Sequence, residues 1–246
     1  MHQPLIYAHR GASAYAPENT ISAFVRAVEQ GADGIEFDVK VTRDGKVIVL
    51  HDQSLDRTTT GAGNYKKYSF DELRKLDAGI KFQGIYKDVR IPTLEEVFEA
   101  VGGRLGINIE LTNYATPNDD LINKIAEILE QINDHSRIIF SSFNWGNLRK
   151  ARSLCPDIPC GLLAMPSITG WVSRSFLAQN VPHEALHPYY SDVNGKNVET
   201  IHRQGKKMNV WTVDDPKEMV RLRDLGVDMI MTDDPLLAIQ ALRAAA

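Results

Sequence analysis

A single (β/α)8 barrel is the fold this sequence predicts, and three observations predict it. Eight short apolar runs alternate with segments of helical period. The length of 246 residues matches the roughly 250 residues of one such barrel. Polar and charged residues collect where the apolar runs end, which is where barrels build their sites. A doubly wound open sheet would use the same alternation, but such sheets carry a Gly-rich phosphate turn after the first strand, and none stands here.

The first predicted strand is Leu5–His9, and its helix places Ile21, Phe24, Val25 and Val28 at the i, i+3, i+4, i+7 positions of one face. The second strand, Ile35–Val41, leads into a detour over about residues 43–90. There Arg43-Asp44-Gly45-Lys46 signals a hairpin turn into the strand KVIVLHD. The rest of the detour mixes glycine, aromatics and charge, and it reads as a small capping insertion. Tyr65, Phe70, Leu73, Leu76 and Phe82 can bury a satellite core, which argues against a disordered loop. Thr93 to Glu96 forms a capping box for the next helix, and Gly102-Gly103 ends it.

The remaining strands are Gly106–Leu111, Ile138–Phe143, Cys160–Met165, Glu184–Tyr189, Met208–Val213 and Asp228–Thr232. Each leads into a helical segment, with WVSRSFLAQN expected as the helix after the fifth. Tyr189, Tyr190 and the apolar residues of that segment are expected to pack the barrel, with a lid or a subunit contact as the alternative. The last two helices open with Asp215-Pro216 and Asp234-Pro235, an N-cap followed by proline at the first helical position.

Composition narrows the function. Lys+Arg 28 against Asp+Glu 32 gives a net charge of -4, with no basic field for nucleic acid or an anionic bilayer. The expected partner is a small molecule. Neither a basic and apolar leader nor a long uninterrupted apolar stretch is found, so the chain is expected to be cytoplasmic and unanchored. Cys155 and Cys160 lack a zinc-ligand pattern and read as buried thiols.

The strand ends carry the chemistry. Glu36 and Asp38, two apart on one strand, point to the same face and would repel. A divalent cation relieves that repulsion, and Glu110 on the next strand can complete a three-carboxylate oxygen site suited to Mg2+ or Ca2+. A structural ion pair with Arg or Lys is the alternative for these carboxylates. His9 and His51 lie at strand ends on the same rim and can divide general base and acid roles, while a lone histidine there would simply pack. Arg10 suits a phosphate through its planar fork, or a surface ion pair. Taken together, a metal, two histidines and an arginine point to hydrolysis of a phosphate ester. Trp211, after the seventh strand, either stacks on substrate or fills the top of the core. Asp52, Asp214, Thr232 and Asp233 also stand at these ends. His2, His135, His183, His187 and His202 show no partner pattern and read as structural.

The motifs HRG, PENT, GAD-x-IE-x-DV, T-x-DG, the HD ending and RTT follow one another between His9 and Thr59. In that order and spacing they resemble the glycerophosphodiester phosphodiesterase family. IPTLEEV, INIEL, FSSF, VWTVDD and TDDP extend the resemblance over nearly the whole chain, which is most similar to the small cytosolic bacterial members associated with glycerol-3-phosphate uptake. The resemblance implies a (β/α)8 barrel with an insertion after the second strand. It also implies that Glu36, Asp38 and Glu110 bind one divalent cation (Mg2+ or Ca2+, or Mn2+), that His9 and His51 exchange protons, and that Arg10 holds phosphate. Glycerophosphocholine and glycerophosphoethanolamine would be substrates, giving glycerol 3-phosphate and the alcohol. His9 is taken as base and His51 as acid, with the neighbouring glycerol hydroxyl attacking phosphorus. Alternatives are a lipid-acting or cyclising barrel enzyme and a non-catalytic metabolite-binding barrel. Two residues after Glu110, where many members carry lysine, this chain has Thr112. Lys40 and Lys81 could substitute, yet each reads as a solvated surface lysine.

Overall fold

The computed structural model describes residues 3–82, 84–132 and 134–243. His2 lies outside them. The chain runs β1 (Leu5–His9), α1 (Ile21–Glu29), β2 (Gly34–Val41), β3 (Val47–Val49), α2 (Phe70–Leu73), α3 (Leu94–Val101), β4 (Gly106–Leu111), α4 (Leu121–Leu129) and β5 (Ile138–Ser142). It continues through α5 (Trp145–Leu154), β6 (Cys160–Ala164), α6 (Trp171–Arg174), β7 (Ala185–Pro188), α7 (Gly195–Arg203), β8 (Lys207–Val210), α8 (Pro216–Asp224), β9 (Met229–Thr232) and α9 (Pro235–Arg243).

Eight parallel strands form the ring β1-β9-β8-β7-β6-β5-β4-β2, and the pairing of β1 with β2 closes it. The extra strand, β3, is antiparallel to β2. β2 pairs with β1 through Gly34–Glu36 and with β3 through Val39–Val41. The hairpin therefore takes over the edge of β2 where β1 ends. The Leu50 N–H donates to the Asp38 carbonyl, which extends that ladder and delivers His51 to the mouth beside Asp38.

Helices surround the ring because each has one apolar stripe to bury. In α3 that stripe is Leu94, Val97, Phe98 and Val101, and burial of such side chains contributes about 1.5–3 kcal/mol each. The capping box of Thr93 and Glu96 is formed as the sequence predicts. Asp215 accepts from the Lys217 N–H, and Asp234 accepts from the Leu237 N–H, so both Asp-Pro caps are in place. The insertion has its own apolar cluster, in which Tyr65 and Leu73 are buried with Ile48, Leu50, Leu55 and Ile91. Phe70 and Leu76 pack on its margin. Phe82 does not join it and instead meets Tyr86 edge-on at 5.8 Å.

Three other expectations are corrected. WVSRSFLAQN is not one helix: α6 covers four residues, a 3-10 turn follows over Phe176–Asn180, and Ser175 between them accepts from the Leu177 N–H. Nor do its apolar residues all pack the barrel, since Trp171 is 56% exposed and Val172 and Leu177 are also exposed. Cys160 is buried, whereas Cys155 is only partly so, and both are free thiols.

The barrel interior is filled by rings that demand bare backbone opposite them. Tyr7 packs with Met229 and Met231 under Trp211. A Cβ on Gly106 would lie 2.0 Å from the Tyr7 hydroxyl, and one on Gly34 would lie 2.4 Å from its ring. Gly106→Ala should therefore destabilise the fold by about 1–3 kcal/mol, the usual cost of overpacking. Adding Tyr7→Phe, which removes the nearest atom, should restore part of the loss in thermal melts. Strict additivity of the two changes would contradict this packing account.

Candidate active site

Side chains alternate along a strand, so Glu36 and Asp38 of β2 share the inward face with Glu110 of β4. Asp38 and Glu110 are register partners. One carboxylate oxygen from each of the three can be chosen so that all lie within 4.8 Å of one another. Glu36 and Asp38 are buried. Burial, then the charge of Asp38, pushes the Glu110 carboxyl up to about 8. Burial together with Asp38 and Glu110 also raises Glu36 well above the usual range. Glu36 Oε1 is buried with no hydrogen-bond partner. Three crowded carboxylates with an orphaned oxygen form a donor set that fits a hard divalent cation.

The surrounding residues fix these oxygens. Arg10 and Asn19 both take left-handed backbone conformations, with φ of 57° and 58°. Such strain in non-glycine residues is tolerated where surroundings enforce it. The turn aims the Arg10 N–H at Glu36 Oε2 (3.2 Å), and Asn19 Nδ2 donates to Asp38 Oδ2 (3.0 Å). Gly11 completes the turn with a φ of 81°, and a Cβ there would lie 2.6 Å from Ala23. The Tyr114 hydroxyl donates to Glu110 Oε1 (2.9 Å).

Both histidines reach the mouth, each with an aspartate behind it. His9 Nδ1 pairs with Asp233 Oδ1 at 2.6 Å, and its Nε2 lies 4.0 Å from Glu36. His51 Nδ1 pairs with Asp52 Oδ1 at 2.5 Å. In each ring Nε2 is the nitrogen left for chemistry. Asp233 also accepts from Ser13 Oγ (3.0 Å). Burial acts to raise the Asp233 pKa, but the hydrogen bond and charge of His9 outweigh it and hold the carboxyl below its ordinary value. Asp233→Asn should lower kcat by about 10- to 100-fold, as loss of an orienting partner does. KM and thermal stability should stay near wild type. An unchanged kcat would remove Asp233 from this role.

Arg10 leans over the carboxylates. Its Nε lies 3.5 Å from Asp38 Oδ2 and is buried without a hydrogen bond, a donor left over for a ligand. Its Nη1 donates to Glu18 (2.9 Å). Glu18 also accepts from Arg57 (2.6 and 2.8 Å) and Lys81 (2.7 Å). Burial would raise the Glu18 pKa, but the bonds from Arg57 and Lys81 and the charge of Arg10 outweigh it and hold the carboxyl well below its usual range. Arg57 bonds Asp52 as well, so a single network joins both sides of the mouth.

Trp211 is half-buried. Its indole N–H donates to the His187 carbonyl (2.7 Å), and its ring meets Phe143 and Tyr189 edge-on at 5.6 and 5.4 Å. It caps the interior over Tyr7, Met229 and Met231. Lys81 is exposed as expected, but Lys40 is not a solvated lysine: it is 2% exposed and donates to Thr112. Among the histidines read as structural, His187 is fully buried, and burial drives its pKa down to about 3.

Asp52 and Asp233 stand at strand ends, but nothing in the sequence marks them as partners of the two histidines. Glu18 and Asn19 lie within the PENT motif and Arg57 within RTT, which is where their signal lay. Tyr114 carried no signal.

A closed (β/α)8 barrel whose mouth gathers a carboxylate triad, two histidines and an arginine has the make-up of a barrel hydrolase. The model of the glycerophosphoryl diester phosphodiesterase family matches residues 9–237. A glycerophosphodiester phosphodiesterase of Caldanaerobacter subterraneus subsp. tengcongensis is 42% identical over 97% of this chain and 98% of its own length. A phosphodiesterase of Oleispira antarctica, solved in complex with the product sn-glycerol-3-phosphate, superposes with a TM-score of 0.90 at 32% identity, covering 98% of this chain and 97% of that one. The chain belongs to this family and is a phosphoric diester hydrolase of the glycerophosphodiester phosphodiesterase type. Among the described residues no helix is long and apolar enough to cross a membrane.

Proposed function

We propose that the chain, working as one barrel domain with a capping insertion, hydrolyses glycerophosphodiesters such as glycerophosphocholine and glycerophosphoethanolamine to glycerol 3-phosphate and an alcohol. Its cofactor in this reading is one divalent cation, Mg2+, Ca2+ or Mn2+, held by Glu36, Asp38 and Glu110. The observation that carries the reading is the crowded triad, in which Glu36 Oε1 is buried without a hydrogen-bond partner while Glu36 Oε2 lies 4.0 Å from His9 Nε2.

When bound, the cation supplies positive charge against the diester and the charge that grows on phosphorus oxygens during attack. Arg10 Nε donates to the phosphate. His9 takes the proton from the neighbouring glycerol hydroxyl, whose oxygen attacks phosphorus. His51 gives its proton to the departing alcohol oxygen as that P–O bond breaks, leaving a cyclic phosphate. Water then attacks phosphorus and yields its proton to His51, while His9 returns its proton to the ring oxygen, and glycerol 3-phosphate leaves. Asp233 and Asp52 hold the two rings in register, and Trp211 contacts the glycerol carbons.

A second reading, in which the glycerol half of the diester carries an acyl chain, draws support from the exposed apolar residues that follow β6, with Ile168 at 86% exposure and Trp171 beside it. The deciding experiment is release of glycerol 3-phosphate from glycerophosphocholine by the purified protein, with EDTA and after restoring each ion. Lysophosphatidylcholine is assayed in parallel. Metal-restored release from glycerophosphocholine supports the first reading, and turnover of the lysolipid alone overturns it.

A further inference from the structure

Lys40 and Thr112 extend the two strands that carry the triad. Lys40 follows Asp38 by two residues on β2, and Thr112 follows Glu110 by two just past β4. Both continue the inward face one step nearer the mouth. The Lys40 ammonium donates to the Thr112 carbonyl and to its Oγ1, each at 3.1 Å. Thr112 Oγ1 in turn donates to the Val39 carbonyl at 2.8 Å, which fixes the hydroxyl as the acceptor for Lys40. The Tyr65 ring, brought over by the insertion, lies 5.8 Å from Nζ, and the lysine is 2% exposed.

A cation buried this deeply normally has a carboxylate bonded to it. Among the described residues none forms an ion pair with Lys40, and its hydrogen bonds go only to neutral oxygens of Thr112. An ammonium has three N–H donors, and Thr112 accounts for two. A bare strand clamp would not need a charge. The arrangement instead leaves one donor and a positive charge beside the carboxylates, where an incoming phosphate is otherwise met by like charge.

We propose that Lys40 is a second cation of the phosphate subsite, complementing Arg10. Its remaining N–H donates to a non-bridging oxygen of the diester, and Thr112 is its positioning residue. This inference rests on the diesterase reading above and adds a specific phosphate contact to it.

The test uses the cation-loaded enzyme with two readouts, calorimetric binding of sn-glycerol 3-phosphate and steady-state hydrolysis of glycerophosphocholine. Lys40→Met should weaken product binding and lower kcat/KM by about 10- to 100-fold, as removal of a charged hydrogen-bond partner does. Combining Lys40→Met with Thr112→Lys returns an ammonium to the same spot from the facing strand, and should recover about tenfold or more of the product affinity. Product binding and turnover within about threefold of wild type for Lys40→Met, with only the melting temperature lowered, would reduce Lys40 to a strand clamp and overturn the proposal. So would a folded double variant no better than Lys40→Met. Should Lys40→Met not fold, Thr112→Val carries the test: it keeps the charge, loosens its hold and should weaken product binding severalfold, and unchanged binding overturns the proposal. Wild type assayed alongside separates the two ideas. An inactive wild type overturns the diesterase reading, whereas an active wild type with an unaffected Lys40→Met overturns only the role of Lys40.

Discussion

His51→Ala should lower kcat by about 10²–10⁴-fold while leaving the fold intact, and His9→Ala should do the same. His51 stands on the rim with its side chain 41% exposed, and among the described residues its ring bonds only the neighbouring Asp52, so its removal opens no core cavity. The two losses should differ in kind. In the mechanism proposed here His51 protonates the leaving alcohol, which matters only while the leaving group is a poor one. A glycerophosphodiester of p-nitrophenol, whose departing oxygen needs no proton, should restore most of the first-turnover release of p-nitrophenolate to His51→Ala and little of it to His9→Ala. The opposite pattern would exchange the base and acid assignments. Near wild-type turnover of glycerophosphocholine by either variant would take that histidine out of the chemistry.

The sequence made the barrel readable because the strands bury apolar faces against the helices, and most helices announce themselves by an apolar stripe and a capping residue. Asp215, Asp234 and Thr93 mark helix starts through local hydrogen bonds that the chain cannot hide. The triad was readable for a similar reason: a spacing of two on a strand puts Glu36 and Asp38 on one face wherever the strand lies. What could not be read were partnerships across the ring. Asp233 meets His9 from 224 positions away, and only closure of β1 against β9 brings them together. Lys40 failed in the other direction. Its outward-looking chemistry suggested solvent, but its burial depends on Thr112 and on Tyr65 delivered by the insertion. The apolar pattern of WVSRSFLAQN looked helical, yet Ser173 and Ser175 interrupt it, and Ser175 turns its hydroxyl back to the Val172 carbonyl. Such local bonds compete with a continuous helix.

Metal binding should strengthen as pH rises, and the reason lies in the raised carboxyls. Without an ion, Glu110 sits at about 8 because burial and Asp38 penalise its charge, against an ordinary value of 4.5. Between those two values the folded state holds a proton that the unfolded chain has released. The metal-free fold therefore loses stability as pH increases from about 4.5 to about 8, the opposite of a salt-bridged carboxylate. A divalent cation must displace that proton, so its apparent affinity should climb over the same interval and proton release should accompany binding. Calorimetric titration of the chelator-treated protein at pH 6, 7 and 8, in buffers of different ionisation enthalpy, measures both quantities. The increase in melting temperature on adding the ion should be larger at pH 8 than at pH 6. Glu36→Gln keeps the shape of the side chain but removes one charge and one good ligand. It should cut cation affinity by about 10- to 100-fold or more and abolish most turnover at limiting metal, with partial recovery at high concentrations of the ion. Affinity that stayed flat from pH 6 to 8 would show that these carboxylates do not trade a proton for the ion. A Glu36→Gln titration indistinguishable from wild type would place the cation somewhere other than this triad, and EDTA-resistant hydrolysis would remove it from the reaction altogether.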